Sequence, residues 1–277
     1  MIPVHSITGA LEIRKLSGIN PDSIHRRLAH RDEHYQFVIQ ESGSTVMSVD
    51  FKTVPLKAGH VLCILPGQVH RAQSARHSHV WIIAVKREWI HETYRFVLDT
   101  FAPNHGAVAL DKAMLPALHH SITLLHDMYI SGDEIRFLPQ VLRGATDVCI
   151  GICTGAYHRQ HTEDDLILSR PVQLLHEFRQ LLARHYLTMK SPAAYADKLH
   201  ISLSYLNEVV KEQTGYSVSR LIQEQVITES RRILYYTDIS IKELATRMGY
   251  DDYSYFCRYF KNATGMTPAQ ARKFSRE

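Results

Sequence analysis

Residues 239–268 read ISIKELATRMGYDDYSYFCRYFKNATGMTP, and boundary signals divide them sharply. Ser240 with Glu243 three residues on is a capping box, so a helix starts near 240. Gly249 takes the left-handed backbone that a tight turn needs, and Gly265 stops a second helix of about eleven residues in the same way. Thr267-Pro268 with Gln270 opens a further helix near 267. A short helix, a turn and a second helix make a helix-turn-helix, in which the small Ala245 lets the two helices cross closely.

The same unit occurs once more upstream. Ala196-Asp197-Lys198-Leu199-His200-Ile201 corresponds to Ala245-Thr246-Arg247-Met248-Gly249-Tyr250 at an offset of 49. After one inserted residue, Tyr205-Leu206 matches Tyr255-Phe256, Val210-Lys211 matches Phe260-Lys261, and Thr214-Gly215 matches Thr264-Gly265, at an offset of 50. Ser191-Pro192 starts this earlier unit, and His200, a residue type that tolerates positive φ, stands where Gly249 stands in the later one. A long helix over 217–236, with Leu221, Ile222, Val226, Ile233 and Leu234 along one stripe, joins the two units.

Charge divides the chain at the same place. Residues 170–277 hold 16 Lys and Arg against 11 Asp and Glu, whereas residues 1–169 hold 16 against 17. A basic part carried by a neutral part is the balance of a nucleic-acid-binding unit attached to a sensing or pairing unit, although a solvated helical surface gives the same sign. Fifteen of the 18 histidines precede residue 170.

Residues 171–273 resemble the DNA-binding domain of the AraC/XylS family of bacterial transcription regulators. The likeness is carried by the Ile-x-x-Ile/Leu-Ala helix, Gly-Tyr, Tyr-Phe-x-x-x-Phe-Lys and Gly-x-Thr-Pro of residues 239–268. The resemblance implies that the second helix of each unit enters the major groove of double-stranded promoter DNA. With Tyr205, Leu206, Val209 and Val210 inward, Ser204, Asn207, Glu208 and Lys211 face outward. With Tyr255, Phe256, Tyr259 and Phe260 inward, Tyr253, Ser254, Cys257, Arg258 and Lys261 face outward. Asn207 suits adenine and Arg258 guanine, while Lys211 and Lys261 suit phosphate. The family further implies a homodimer that recruits RNA polymerase, more often as an activator. Where the family's linking helix carries Arg and Ala, this chain has Val226 and Ser230.

The first part alternates short apolar runs with turn signals. Tyr35–Ile39, Thr45–Phe51 and Val61–Leu65 read as strands, Glu41–Ser44 and Pro66-Gly67 as turns. In Thr45–Phe51, Met47, Val49 and Phe51 share one face, whereas Val61–Leu65 is apolar on both faces and therefore central. These predict a small antiparallel β-barrel or double-sheet roll over 1–110. Leu115, Leu118, Ile122 and Leu125, then Ile135, Leu138, Leu142 and Val148–Ile152, predict a helix pair over 111–159, packed on a second copy of the chain or on its own barrel. A polar hinge over 160–170 precedes the all-α domain at 171–277, making an α+β multidomain chain of 277 residues.

This first part also resembles the cupin-like sensor domain of the same family. His30-Arg31-Asp32-Glu33-His34 lies where a cupin has His-x-His, and Gly59 with Leu65-Pro66-Gly67-Gln68-Val69-His70 resembles the second cupin motif. Asp32 replaces the second histidine and the expected glutamate falls near Gln36 or Phe37, so the ligand set is incomplete and no metal or other cofactor is expected. His30, His34, Tyr35, His70 and Trp81 are instead the expected walls of a small-molecule effector site. A metal-dependent cupin enzyme with an accessory helical domain is the alternative, and a regulator without ligand a third reading. Cys63, Cys149, Cys153 and Cys257 show no paired spacing and read as reduced thiols. No run reaches the roughly 18 apolar residues of a membrane span, and the first fifteen residues lack an export signal, so a cytoplasmic protein is expected.

Overall fold

The computed structural model describes residues 4–5, 7–19, 29–131, 136–159 and 170–276, in two units divided between residues 163 and 164. The first unit is built on one sheet. Its strands are β1 (Val4–His5), β2 (Leu11–Ile19), β3 (His30–Asp32), β4 (Tyr35–Val49), β5 (Lys52–Lys57), β6 (His60–Ile64), β7 (Val69–Val85) and β8 (Ala107–Ala109). The long strands β4 and β7 pair antiparallel and form the frame. The outer edge of β4 takes β6 at Gln36–Ile39 and β5 at Ser44–Val49, and that of β7 takes β2 from Ser78 to Val85 and β3 at Val69–His70.

Between its two halves this ribbon shifts register at Gln40/Ser42 and again at Ser42/Ser44. Val38, Leu62, Ile64 and Val80 from one half share a single core with Met47, Val49, Val54 and Leu56 from the other. The halves therefore fold onto each other as the roll. The sheet path runs from β1 to β8 without closing, so an unclosed sheet replaces the expected barrel.

Two local expectations are corrected. Glu41–Ser44 is no turn, because the chain passes straight through it inside β4 as a bulge. The turn lies later, where Asp50 (φ 46°) and Phe51 (φ 67°) both adopt left-handed backbone between Val49 and its partner Lys52. That is the two-residue hairpin geometry that matches strand twist, and it removes Phe51 from the apolar face.

The helices of this unit are α1 (Glu92–His105), α2 (Leu115–Ser131) and α3 (Leu138–His158). The strand-and-turn reading leaves out α1, whose buried stripe is Val97, Leu98, Phe101 and Ala102 with Pro103 in its last turn. In α2, Leu118, Ile122 and Leu125 are buried as expected, but in α3 Val148 faces out while Cys149, Ile150, Cys153 and Tyr157 face in. Ile135 lies outside the described residues. The Tyr157 hydroxyl donates to Gly106 O at 2.8 Å and accepts from Cys63 N at 2.7 Å, joining α3 to the sheet. Tyr157→Phe leaves a buried N–H and a C=O unpaired and is expected to cost about 1–3 kcal/mol, read from the midpoint of urea unfolding.

The second unit is helical: α4 (Arg170–His185), α5 (Pro192–Lys198), α6 (Leu203–Thr214), α7 (Val218–Tyr236), α8 (Ile241–Arg247), α9 (Tyr253–Thr264) and α10 (Pro268–Arg276). It has two cores, and α7 feeds both. Val218, Leu221 and Ile222 pack with Leu206, Val209 and Val210, whereas Val226, Ile227, Ile233 and Leu234 pack with Leu244, Phe256 and Phe260. The 217–236 helix thus joins the units as its apolar stripe predicts. A side chain braces them too: Lys190 Nζ donates to Tyr186 O at 2.5 Å and to Met248 O at 2.6 Å, and lies 4.8 Å from the Tyr250 ring. Burial pulls this ammonium down to about 8. Lys190→Met keeps the stem but abandons both carbonyls, so a loss of about 1–3 kcal/mol is expected in chemical unfolding of the helical unit. Among the described residues, no helix is long and apolar enough to cross a membrane.

Candidate nucleic-acid interface and effector cluster

Each helix-turn-helix is built from the same small set of local contacts. In the first turn Ile201 N donates to Ala196 O, and His200 sits at φ 56°; in the second Tyr250 N donates to Ala245 O, and Gly249 sits at φ 76°. Ser202 caps α6 by accepting from Tyr205 N at 3.2 Å, and Asp252 caps α9 by accepting from Ser254 N and Tyr255 N at 2.7 and 3.1 Å. Thr214 and Thr264 donate back to Val210 O and Phe260 O before the left-handed Gly215 and Gly265. The capping box at Ser240 and Glu243 is present, as is the reciprocal pair of Thr267 and Gln270. Ser191 makes no capping hydrogen bond, so α5 starts on Pro192 alone.

The helices α6 and α9 each turn one face to solvent. Ser204, Glu208 and Lys211 are exposed on α6, and Tyr253, Ser254, Arg258 and Lys261 on α9. Two of the residues expected inside are not. Tyr205 and Tyr255 are 37% and 50% exposed, because each sits in the first turn of its helix, where the core reaches only the next residue, Leu206 or Phe256. Tyr255 rests against the Tyr250 and Tyr259 rings. The α9 face carries Arg258 and Lys261 without an acid, whereas Glu208 offsets Lys211 on α6.

Asn207 is also corrected. Its Nδ2 donates to Leu203 O at 3.1 Å and its Oδ1 accepts from Val218 N at 3.3 Å, so the amide is spent on the start of α7 rather than presented to a base. The position equivalent to Val218 in the second unit is Pro268, which has no N–H, and the position equivalent to Asn207 is Cys257. The repeat itself signals this: an amide stands where the following helix offers an orphan N–H, and none where it does not.

In the first unit, four of the histidines come together around one carboxylate. Asp32, 3% exposed, has Oδ2 at 3.5 Å from the Nε2 of both His34 and His70 and Oδ1 at 3.9 Å from His30 Nε2. His30 lies against His70 with ring centroids 4.3 Å apart and stacks on His5 at 4.5 Å. His70 Nδ1 faces Gln68 O at 3.2 Å, and Gln36 Nε2 lies 3.4 Å from His70 Nε2. Burial lowers the His34 pKa against the pull of Asp32. Burial and neighbouring His30 push His70 down to about 4, so that ring is neutral at physiological pH.

Tyr35 and Trp81 do not join this cluster. The Tyr35 hydroxyl donates to Asp99 Oδ1 of α1 at 2.6 Å, and burial with that carboxylate raises its pKa. Trp81 is covered by the Lys15 ammonium at 4.7 Å and by His126 of α2 at 5.2 Å. Strand alternation explains the split for Tyr35, since residues next to each other in a strand face opposite ways.

The family model described as an AraC-like ligand binding domain matches residues 14–133, and the model described as a helix-turn-helix domain matches residues 195–273. The chain belongs to the AraC family. The transcriptional activator RhaR of Escherichia coli is similar, 29% identical over 118 residues, which are 42% of this chain and 40% of RhaR. The C-terminal domain of AraT, a response regulator from Geobacillus stearothermophilus, is 30% identical with a TM-score of 0.36, covering 38% of this chain and 88% of that one. ToxT from Vibrio cholerae is 13% identical with a TM-score of 0.47, covering 95% and 97%.

Within this AraC family chain, two kinds of candidate residue escape a reading along the sequence. The exposed tyrosines Tyr205 and Tyr255 belong to the outward faces, which only the finished cores reveal. His5 reaches the histidine cluster because β1 pairs with β3, placing Val4 and His5 opposite Arg31 and Asp32. No spacing rule links two residues so far apart in the chain. Both matched models describe binding domains, which leaves the enzyme alternative without support.

Proposed function

We propose that this chain is a sequence-specific DNA-binding transcription regulator that answers to a small effector, acts as an activator through RNA polymerase, and works in the cytoplasm as a homodimer. The observation that carries the reading is the pair of capped helix-turn-helix units on one linking helix, each with a polar, outward recognition face. Arg258 is the strongest base reader, by bidentate contact to guanine, with Ser204, Glu208, Tyr253 and Ser254 beside the groove and Lys211 and Lys261 on phosphate. Asn207 holds the first reading helix in place. The effector is assigned to the cluster of His30, His34 and His70. Dimerisation is assigned to the segment 111–159, where Leu124, Ile130, Phe137 and Val148 are each more than half exposed, and DNA binding to 171–277; the hinge expected over 160–170 lies, apart from Arg170 at the start of α4, outside the described residues.

The test is selection of a binding site from random duplexes by the full chain, followed by titration at several salt concentrations. Arg258→Ala is expected to cost about 1–3 kcal/mol and to relax one base position, whereas Lys261→Ala weakens all sequences alike and lowers the salt slope by about 1. Weak binding that is blind to sequence in the wild-type protein would overturn the reading.

A further inference from the structure

We propose that His5, His30 and Asp32 form a binding site for a divalent first-row transition-metal ion, and that this ion is the effector. The second clause rests on the regulator reading above; the first does not. One ligand atom from each of the three residues lies within 4.8 Å of the other two. Ligands held at about 2.1 Å stand roughly 3.0–3.4 Å apart when they are neighbours and about 4.2 Å apart when they are opposite; His30 Nε2 lies 3.9 Å from Asp32 Oδ1, so closing the set takes a turn of both stacked rings, His5 and His30, toward the carboxylate.

The carboxylate supplies the independent argument. Asp32 is buried, its Oδ1 has no hydrogen-bond partner, and its ion-pair partners among the described residues are all histidines. A buried anion left with so little compensation is costly, and a cation at Oδ1 offsets that cost. The other oxygen is approached by the same cluster, with the Nε2 atoms of His34 and His70 both 3.5 Å from Oδ2. Such outer partners fix a ligating carboxylate in place and tune it.

This donor set differs from the one that the cupin motif suggests. Gln36 stands at the glutamate position and lies beside His70, and the third ligand comes from β1, outside both motifs. Two imidazoles and one carboxylate, without thiolate, favour borderline ions such as Co²⁺, Ni²⁺, Fe²⁺ or Zn²⁺ over Mg²⁺ or Cu⁺. Three protein ligands leave coordination positions to water, and the exposure of His5 leaves a way in, so the ion exchanges as an effector must.

The experiment uses the full chain without a histidine tag, stripped by chelator and titrated with Co²⁺ while its visible absorption is followed. One saturable equivalent is expected, undisturbed by millimolar-range Mg²⁺. Asp32→Asn and His5→Gln are each expected to weaken Co²⁺ by at least the ~10–100-fold that loss of an outer-sphere partner costs. Since Asp32→Asn alters a buried group, the exposed His5→Gln keeps the test sound, provided that its metal-free melting temperature matches the wild type. Binding no tighter than that of Mg²⁺, or equal Co²⁺ binding by both variants, overturns the site and gives the ion to surface imidazoles such as His119 and His120. Binding of the selected DNA is then compared with and without Co²⁺. A metal that binds yet leaves DNA affinity unchanged overturns the effector clause alone, whereas no specific DNA binding in either state overturns the regulator reading.

Discussion

Gly249→Ala is expected to destabilise the helical unit by roughly 2–5 kcal/mol, the sum of a left-handed backbone penalty and an overpacking penalty. Gly249 lies at φ 76°, and a Cβ there would enter the carbonyl of Leu187, which is backbone and has no rotamer by which to yield. The contact is part of a joint. The loop after α4, through Leu187 O and the Lys190 ammonium, meets the turn at Met248 and Gly249, so the added methyl pushes the second helix-turn-helix away from its support. Gly215→Ala is the control: its φ is 75°, but nothing stands within 4 Å of the added atom, and a loss near 1 kcal/mol is expected from the backbone alone. The helical signal in circular dichroism during urea unfolding measures both. Equal losses in the two variants would show that the Leu187 contact carries no weight.

Gly43→Ala is expected to have an effect of similar size, roughly 2–5 kcal/mol, in the other unit. At φ 70°, its Cβ would enter the carbonyl of His77 and lie 2.5 Å from that of Arg76, both on the facing strand. The bulge in β4 and the positive φ of His77 opposite it are two sides of one bend, and it is this bend that lets the halves of the roll share a core. Both tryptophans, Trp81 and Trp89, belong to this unit. The tryptophan fluorescence transition is therefore expected to move in Gly43→Ala and to stay in place in Gly249→Ala.

The two units differ in how much of them can be read along the chain. Caps and left-handed stops act within three or four residues, so Ser240 with Glu243, Gly249 and Gly265 announce their helices before any fold is known. The repeat then supplies a second copy of each signal. Gly43 is ambiguous by the same local reasoning, since a glycine after Glu41-Ser42 suits a hairpin as well as a bulge, and only the facing His77 decides. Phe51 reads as the next inward residue of an alternating strand, yet with Asp50 it forms the turn, because the pairing of Val49 with Lys52 sets the length of the hairpin. Of the candidate site, the gathering of His30, His34 and His70 is implied by the resemblance to the two cupin motifs. The arrival of His5 is not, and neither is the departure of Tyr35 and Trp81 toward helices, because both depend on which strand lies beside which and on what covers each face.

The hydroxyl of Tyr157 has a consequence for solubility during folding. Pairing between β6 and β8 runs from His60↔Ala109 to Leu62↔Ala107 and then stops, so the next amide, that of Cys63, would stand open at the rim of the sheet. An open amide on an apolar strand invites the backbone of another molecule and is where sheets begin to aggregate. Because the hydroxyl takes that amide and the carbonyl of Gly106 together, α3 seals the rim, and a chain that has not yet docked α3 is the species most prone to associate through β6.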